Sequence, residues 1–200
     1  MSTVSRRDLL RSGAFAGLVS ATDAAIHGHA WAQADLGPTP ECKDNDPPTL
    51  PEIEGPFYKP RTPERFDLSE AGSKGRPVEL AGYVLTRGCR PLARAIVDLW
   101  HADEGGEYDN RGFRYRGHFV TDAQGRYRFR TIVPGLYTGR TRHYHVKVIA
   151  TTRQLLTTQL YFPNEPQNAR DGLYSKELLM RMAEAGDGLS ARFDFVLNVR

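Results

Sequence analysis

Two tyrosines and two histidines near the middle of the chain have side chains whose combination points to a metal. Tyr108 lies in Gly105-Gly106-Glu107-Tyr108. Tyr137 lies in Pro134-Gly135-Leu136-Tyr137, and His143 and His145 follow within eight residues. Two phenolates and two imidazoles form a hard, oxygen-rich donor set suited to a trivalent ion such as Fe(III). A free phenol ionises only near pH 10, so it binds as phenolate only when a strongly charged cation displaces its proton. On a strand, His143 and His145 point to one face while Tyr144, Val146 and Val148 point to the other. The His-x-His spacing is therefore apt for one ion. Taken alone it fits two surface histidines on an edge strand equally well. Each tyrosine taken alone reads as a loop aromatic capping the core. His101 and His118 leave a further reading open, an all-nitrogen zinc site made with His143 and His145.

The elements that must position these residues read as strands. Residues 78–86 and 95–101 form two apolar-patterned runs, separated by a turn at Gly88-Cys89-Arg90-Pro91. Residues 118–121 and 126–131 flank Asp122-Ala123-Gln124-Gly125, which predicts a hairpin. In the second arm Tyr127, Phe129 and Thr131 alternate with Arg126, Arg128 and Arg130, the pattern of a sheet with one wet face. Residues 143–150, 155–162 and 192–199 supply further strands. Residues 175–185 read as the one short C-terminal helix, with Gly186 placed to end it. The expectation is an all-β fold, a sandwich of mostly antiparallel strands with long loops.

The ends of the chain read differently. Ser5-Arg6-Arg7-Asp8-Leu9-Leu10-Arg11, an apolar stretch at 14–19 and Ala30-Trp31-Ala32 resemble a twin-arginine signal peptide over residues 1–32. The other reading is a basic tail. Export to the periplasm would follow from the first. Residues 33–63, rich in Pro, Asp and Glu, read as an extended arm, and 64–200 as the β-sandwich domain. Cys42 and Cys89 are a disulfide candidate in an oxidising compartment and would staple the arm to the first strands. Two separate buried thiols are the alternative. Of 200 residues 40% are hydrophobic and 26% charged, and the net charge is +3. No basic tract points to nucleic acid or a membrane surface.

Beyond these patterns the chain resembles the intradiol ring-cleavage dioxygenases, the protocatechuate and catechol dioxygenase superfamily. The resemblance rests on Glu54-Gly55-Pro56-Phe57-Tyr58 and on Val97-Asp98-Leu99-Trp100 leading to Gly106-Glu107-Tyr108. It continues through Thr121-Asp122 with Gly125, Thr131-Ile132-Val133-Pro134-Gly135-Leu136-Tyr137, Arg140 and His143-Tyr144-His145. Thr158-Gln159-Leu160-Tyr161-Phe162 and the residues from Arg192 to Leu197 complete it. The resemblance implies one mononuclear non-haem Fe(III) held by Tyr108, Tyr137, His143 and His145. It implies that Tyr137 leaves the metal to take a substrate proton, that Arg140 stabilises negative charge on the ring, and that Gln159 lies near the substrate. The implied reaction opens an aromatic ortho-diol between its hydroxylated carbons with both atoms of O2, giving a cis,cis-muconate-type product. Family members associate, which implies a homo-oligomer. Only Thr138 and Gly139 separate Tyr137 from Arg140, where protocatechuate enzymes carry a longer loop, so the resemblance leaves the ring substituents open. A non-catalytic exported β-sandwich binding module that has lost iron remains the alternative function.

Overall fold

The structure is a computed structural model that describes residue 42, residues 47–152 and residues 155–199. Among these are nine strands in two sheets. β1 (Pro77–Thr86), β4 (Arg126–Ile132), β7 (Arg181–Ala185) and β8 (Gly188–Arg192) lie in the order β4-β1-β8-β7, and β9 (Phe195–Leu197) extends this sheet by pairing with β1. The second sheet runs β3 (Arg116–Val120), β2 (Ile96–Trp100), β5 (His143–Ile149), β6 (Leu155–Tyr161), antiparallel throughout. β1 meets β8 and β9 in parallel.

The core lies between the sheets. Val78, Leu80 and Val84 of β1 and Tyr127 and Phe129 of β4 face Val97, Leu99, Tyr144, Val146, Val148 and Leu160, all buried. The alternation expected for residues 126–131 is present: Arg126 and Arg128 are exposed and Tyr127, Phe129 and Thr131 buried. Buried phenols are satisfied by backbone acceptors, as buried polar groups must be. Tyr144 donates across the sandwich to the Ile132 carbonyl at 2.8 Å, and Tyr127 donates to the Phe193 carbonyl at 2.7 Å.

Three expectations fail. The residues around Asp122-Ala123-Gln124-Gly125 do not join a paired hairpin. The turn forms, with Gly125 N–H donating to the Asp122 carbonyl at 3.0 Å. The chain then crosses between sheets, so that β3 pairs with β2 and β4 with β1. Gly125 holds φ +71° beside the Val84 carbonyl, a position closed to a larger residue. Nor is residues 175–185 a helix. Only Lys176–Leu178 forms a 3-10 turn, capped by Ser175, and the chain continues as β7. Ala185 pairs with Gly188, so Gly186-Asp187 is the two-residue loop of a β7–β8 hairpin, with φ +60° at Gly186.

The single strand expected over residues 192–199 is interrupted at Phe193-Asp194. There β1 passes from β8 to β9, and Asp194 Oδ1 accepts the Tyr83 N–H at 2.9 Å in place of a backbone carbonyl. Gly82 allows this, because a Cβ there would strike the Phe193 carbonyl.

Cys42 and Cys89 are joined by a disulfide with Cα atoms 5.7 Å apart, inside the range a disulfide spans. The expected signal segment, residues 1–32, lies outside the described residues. Among the described residues no helix is long and apolar enough to cross a membrane.

Candidate metal centre

The outward face of the four-stranded sheet carries the site. Strand register sets Trp100 and Gln159 on either side of His145, with Tyr161 opposite His143. Arg116 lies beside Trp100 on β3. This face is covered by residues 47–66, which cross it as a strap and include the described part of the extended arm expected over residues 33–63. Glu52 N–H donates to the Thr157 carbonyl at 2.8 Å, Gln159 Nε2 to the Ile53 carbonyl at 3.0 Å, and Arg65 N–H to the His118 carbonyl at 3.0 Å. Gly55 turns the strap with φ +72°, and a Cβ there would stand 3.2 Å from His145 Cε1. Glycine thus lets the strap lie against the ring edge.

Three of the four expected donors converge. Tyr108 Oη is 3.2 Å from His143 Nε2 and 3.1 Å from His145 Nε2, and the two Nε2 atoms are 3.1 Å apart. Donors bound at about 2.0–2.1 Å from one ion and near right angles to each other lie about 3 Å apart. The triangle has that size. Protons can bridge at most part of it. His143 Nδ1 sits 2.6 Å from the Thr141 carbonyl, which can only accept, so the ring proton is there and Nε2 presents its lone pair. A cation would satisfy all three atoms together. Tyr137 lies beside the triangle, its ring nearly perpendicular to Tyr108 with centroids 5.7 Å apart.

Electrostatics agree with that fit. Burial holds His143 down to about 4 and His145 well below the usual histidine value, with the charges of His143 and Arg140 adding to the effect at His145. Both rings are therefore neutral near pH 7, the form that binds metals. Burial pushes the Tyr108 phenol up, against the pull of Arg140 and Arg116. Without a cation it stays protonated. Among the described residues no cluster of three His, Cys, Asp or Glu side chains could hold a metal, so any ion here needs the tyrosine oxygens.

The walls are aromatic. Phe57 stacks on Tyr108 at 4.4 Å and meets Tyr137 edge-on at 5.4 Å. Trp100, 1% exposed, lies parallel to His145 at 5.0 Å and carries Tyr58 at 4.9 Å. Gln159 is the β6 partner of His145, and Arg140 is bonded to Gln159. Arg140 Nη2 donates to Gln159 Oε1 at 2.7 Å, and Arg140 Nε donates to Asp171 Oδ2 at 2.8 Å.

His101 and His118 do not join. His101 is wholly buried with Nε2 2.6 Å from Thr131 Oγ1 and Nδ1 2.6 Å from the Ala102 carbonyl. His118 Nδ1 is 2.9 Å from the Thr62 carbonyl. An all-nitrogen site of four histidines is thus not assembled.

Several contributors had no clear sequence signal. Arg116 is fully buried, with Nε on the Asp109 carbonyl at 3.1 Å and Nη1 on the Phe57 carbonyl at 2.6 Å, so it ties the strap to the Tyr108 loop. Asp171 is invisible in sequence because it lies 31 residues from the arginine it holds.

A family model described as Dioxygenase matches residues 53–199, nearly three quarters of the chain. The chain belongs to the intradiol ring-cleavage dioxygenases. Among curated relatives of this family, the protocatechuate 3,4-dioxygenase beta chain of Burkholderia cepacia is 31% identical over 63% of this chain and 66% of its own length. Catechol 1,2-dioxygenase 2 of Acinetobacter lwoffii is 30% identical over 57% of this chain and 51% of its own. The chain thus spans between half and two thirds of these curated relatives. In three dimensions it is similar to the dioxygenase domain of a dioxygenase–carbohydrate-binding protein fusion from the cellulolytic bacterium Streptomyces sp. SirexAA-E. That similarity has TM-score 0.75 and 51% identity, and covers 77% of this chain and 100% of that one. It also resembles 3-chlorocatechol 1,2-dioxygenase from Rhodococcus opacus 1CP, with TM-score 0.69 and 28% identity over 76% and 72% of the two chains.

Proposed function

We propose that this intradiol dioxygenase cleaves an aromatic ortho-diol between its two hydroxylated carbons, using O2 and one non-haem Fe(III). The product is a cis,cis-muconate-type dicarboxylate. The observation that carries the reading is the triangle of Tyr108 Oη, His143 Nε2 and His145 Nε2, with Tyr137 beside it. These four residues would hold the ion. Bound there, Fe(III) supplies Lewis acidity that favours the ionised diol and prepares its ring for O2.

The chain's own residues do the rest. His143 and His145 stay neutral through burial and offer lone pairs rather than protons. The Thr141 carbonyl fixes the His143 tautomer. Tyr137, as a phenolate, is a base at Oη for a proton of the incoming diol. The Arg140 guanidinium, aimed by Asp171 and Gln159, stabilises negative charge developing on the ring. Phe57 and Trp100 keep water from the donors.

Ferric phenolate absorbs visible light by charge transfer. Protein loaded with Fe(III) should therefore be coloured and should consume O2 with catechol. Tyr108→Phe should lose most of the colour and activity while keeping its circular dichroism. Protein that takes up no iron and no O2 under these conditions would instead be the non-catalytic module. We further propose that the chain acts outside the cytoplasm. The twin-arginine resemblance and the Cys42–Cys89 disulfide support this. Cell fractionation tests it.

A further inference from the structure

Arg116 is a wholly enclosed cation. Strand pairing sets it beside Trp100, which is in turn beside His145, so it stands on the covered face of the sheet. Nε donates to the Asp109 carbonyl at 3.1 Å and Nη1 to the Phe57 carbonyl at 2.6 Å, and both acceptors are neutral. Nη2 is buried and has no hydrogen-bond partner among the described residues. Two carboxylates in the vicinity are taken up elsewhere. That of Asp109 receives the backbone N–H groups of Arg111, Gly112 and Arg114 at 2.9, 2.8 and 2.9 Å. That of Asp98 receives Thr62 Oγ1 at 2.9 Å and Tyr58 Oη at 3.4 Å. A buried charge in this state is costly unless an anion stands near it.

Both anchors of Arg116 belong to the wall that carries Tyr108. Asp109 follows Tyr108 directly in the chain, and the Phe57 ring stacks on the Tyr108 ring at 4.4 Å. The planar fork therefore holds its charge fixed against this wall, tied to the loop on one side and to the strap on the other. Burial works against the guanidinium charge, whereas Asp109, Tyr108 and Asp98 favour it. Of these three, Tyr108 is the one whose oxygen stands in the donor triangle.

We infer that Arg116 is a positioning residue that acts through Tyr108: its fixed charge draws electron density from the phenolate oxygen and makes that oxygen a weaker donor to the ferric ion. The inference rests on the catalytic reading above and adds a residue to it. A weaker donor leaves the ion a stronger Lewis acid towards the diol. It also raises the energy of the phenolate-to-iron charge transfer, because the positive charge holds the donor electrons more tightly.

The test uses the full chain loaded with Fe(III), as wild type, Arg116→Gln, Arg116→Met and Arg116→Lys. Gln and Met remove the charge, and Lys keeps it without the fork. Two neutral variants are used because Met leaves no carboxylate unpaired behind it; circular dichroism reads the fold of each. At equal iron content the visible band of the Gln and Met variants should move to longer wavelength, and that of Lys should stay near the wild-type position. With catechol as the diol, kcat should fall about tenfold in the neutral variants while KM moves less than about twofold, and Lys should recover most of the loss. A residue that merely holds the fold would lower stability without moving the band. A band unmoved in the folded neutral variants, a Lys band displaced as far as theirs, or loss of fold in both neutral variants would overturn the inference. Wild-type protein that binds no iron overturns the catalytic reading and this inference with it. Coloured wild-type protein whose band ignores the charge overturns this inference alone.

Discussion

β4 and β5 are strands of seven residues in different sheets, and they differ in how many faces they bury. β4 alternates: its arginines reach solvent and its aromatics fill the core. β5 is buried from His143 to Val148 on both sides. Antiparallel sheets commonly leave one face wet, so the second buried face of β5 needs a cover, and the strap of residues 47–66 provides it. That cover turns a row of polar side chains into a dry, poorly screened enclosure. His143, His145, Lys147, Gln159, Asp98 and Arg116 would be ordinary surface groups without it. Beneath it, each must be neutral, paired or bound.

The comparison can be broken most severely at the dry face. His145→Ala removes one corner of the donor triangle, and iron affinity should fall by more than about 100-fold, beyond the cost of losing a group that merely supports a ligand. Metal analysis after dialysis against a weak chelator reads this directly. The next largest effect is on the strap's anchor. Cys89→Ser opens a 47-residue separation and should cost about 2–4 kcal/mol in urea unfolding under oxidising conditions. Equal stability of the two forms would show that the strap holds without its staple.

A smaller effect sharpens the electrostatic side. Asp98 is buried under the strap, accepting from Thr62 Oγ1 at 2.9 Å, and burial raises it from 3.8 to about 6. The folded state therefore binds this proton more tightly than the unfolded chain. The group costs nothing below about pH 4, and stability falls as pH rises through 6. Asp98→Asn should remove that loss. Its stability relative to wild type should gain on the order of 1–3 kcal/mol between pH 4 and pH 7, as read by denaturant unfolding across that range. The smallest effect belongs to the wet face. Arg126 pairs with Asp122 at 2.6 Å but is 58% exposed, so Arg126→Ala should cost no more than about 1 kcal/mol. A larger cost would mean that the two faces differ less than their burial suggests.

Much of this was legible in residue order because it depends on local periodicity. The split of β5 into a histidine face and a core face follows from alternation alone, and β1, β2, β4 and β6 begin and end close to where their apolar patterns do. What the pattern could not carry was partnership. The turn after β3 looks the same whether its flanking strands pair or part into two sheets. Leu178, Met180 and Met182 recur at the two-residue spacing of a strand, and Leu178 and Met180 are buried where the chain enters β7. The Gly186-Asp187-Gly188 run was the signal for a tight hairpin that the helix reading overlooked. The donors Tyr108, His143 and His145 were readable by residue type, whereas Asp171 and the burial of Arg116 arise from chain segments brought together only by folding.

The parallel neighbours of β1 carry a consequence for how the molecule is made. β1 occupies residues 77–86, yet one whole edge of it is lined by β8 and β9, more than 100 residues later. During synthesis the earliest strand of the sandwich must wait, half unpaired, until residues 188–197 have left the ribosome. A chain cut after Asp187 would strip that edge and leave the Tyr83 amide without the Asp194 carboxylate that receives it.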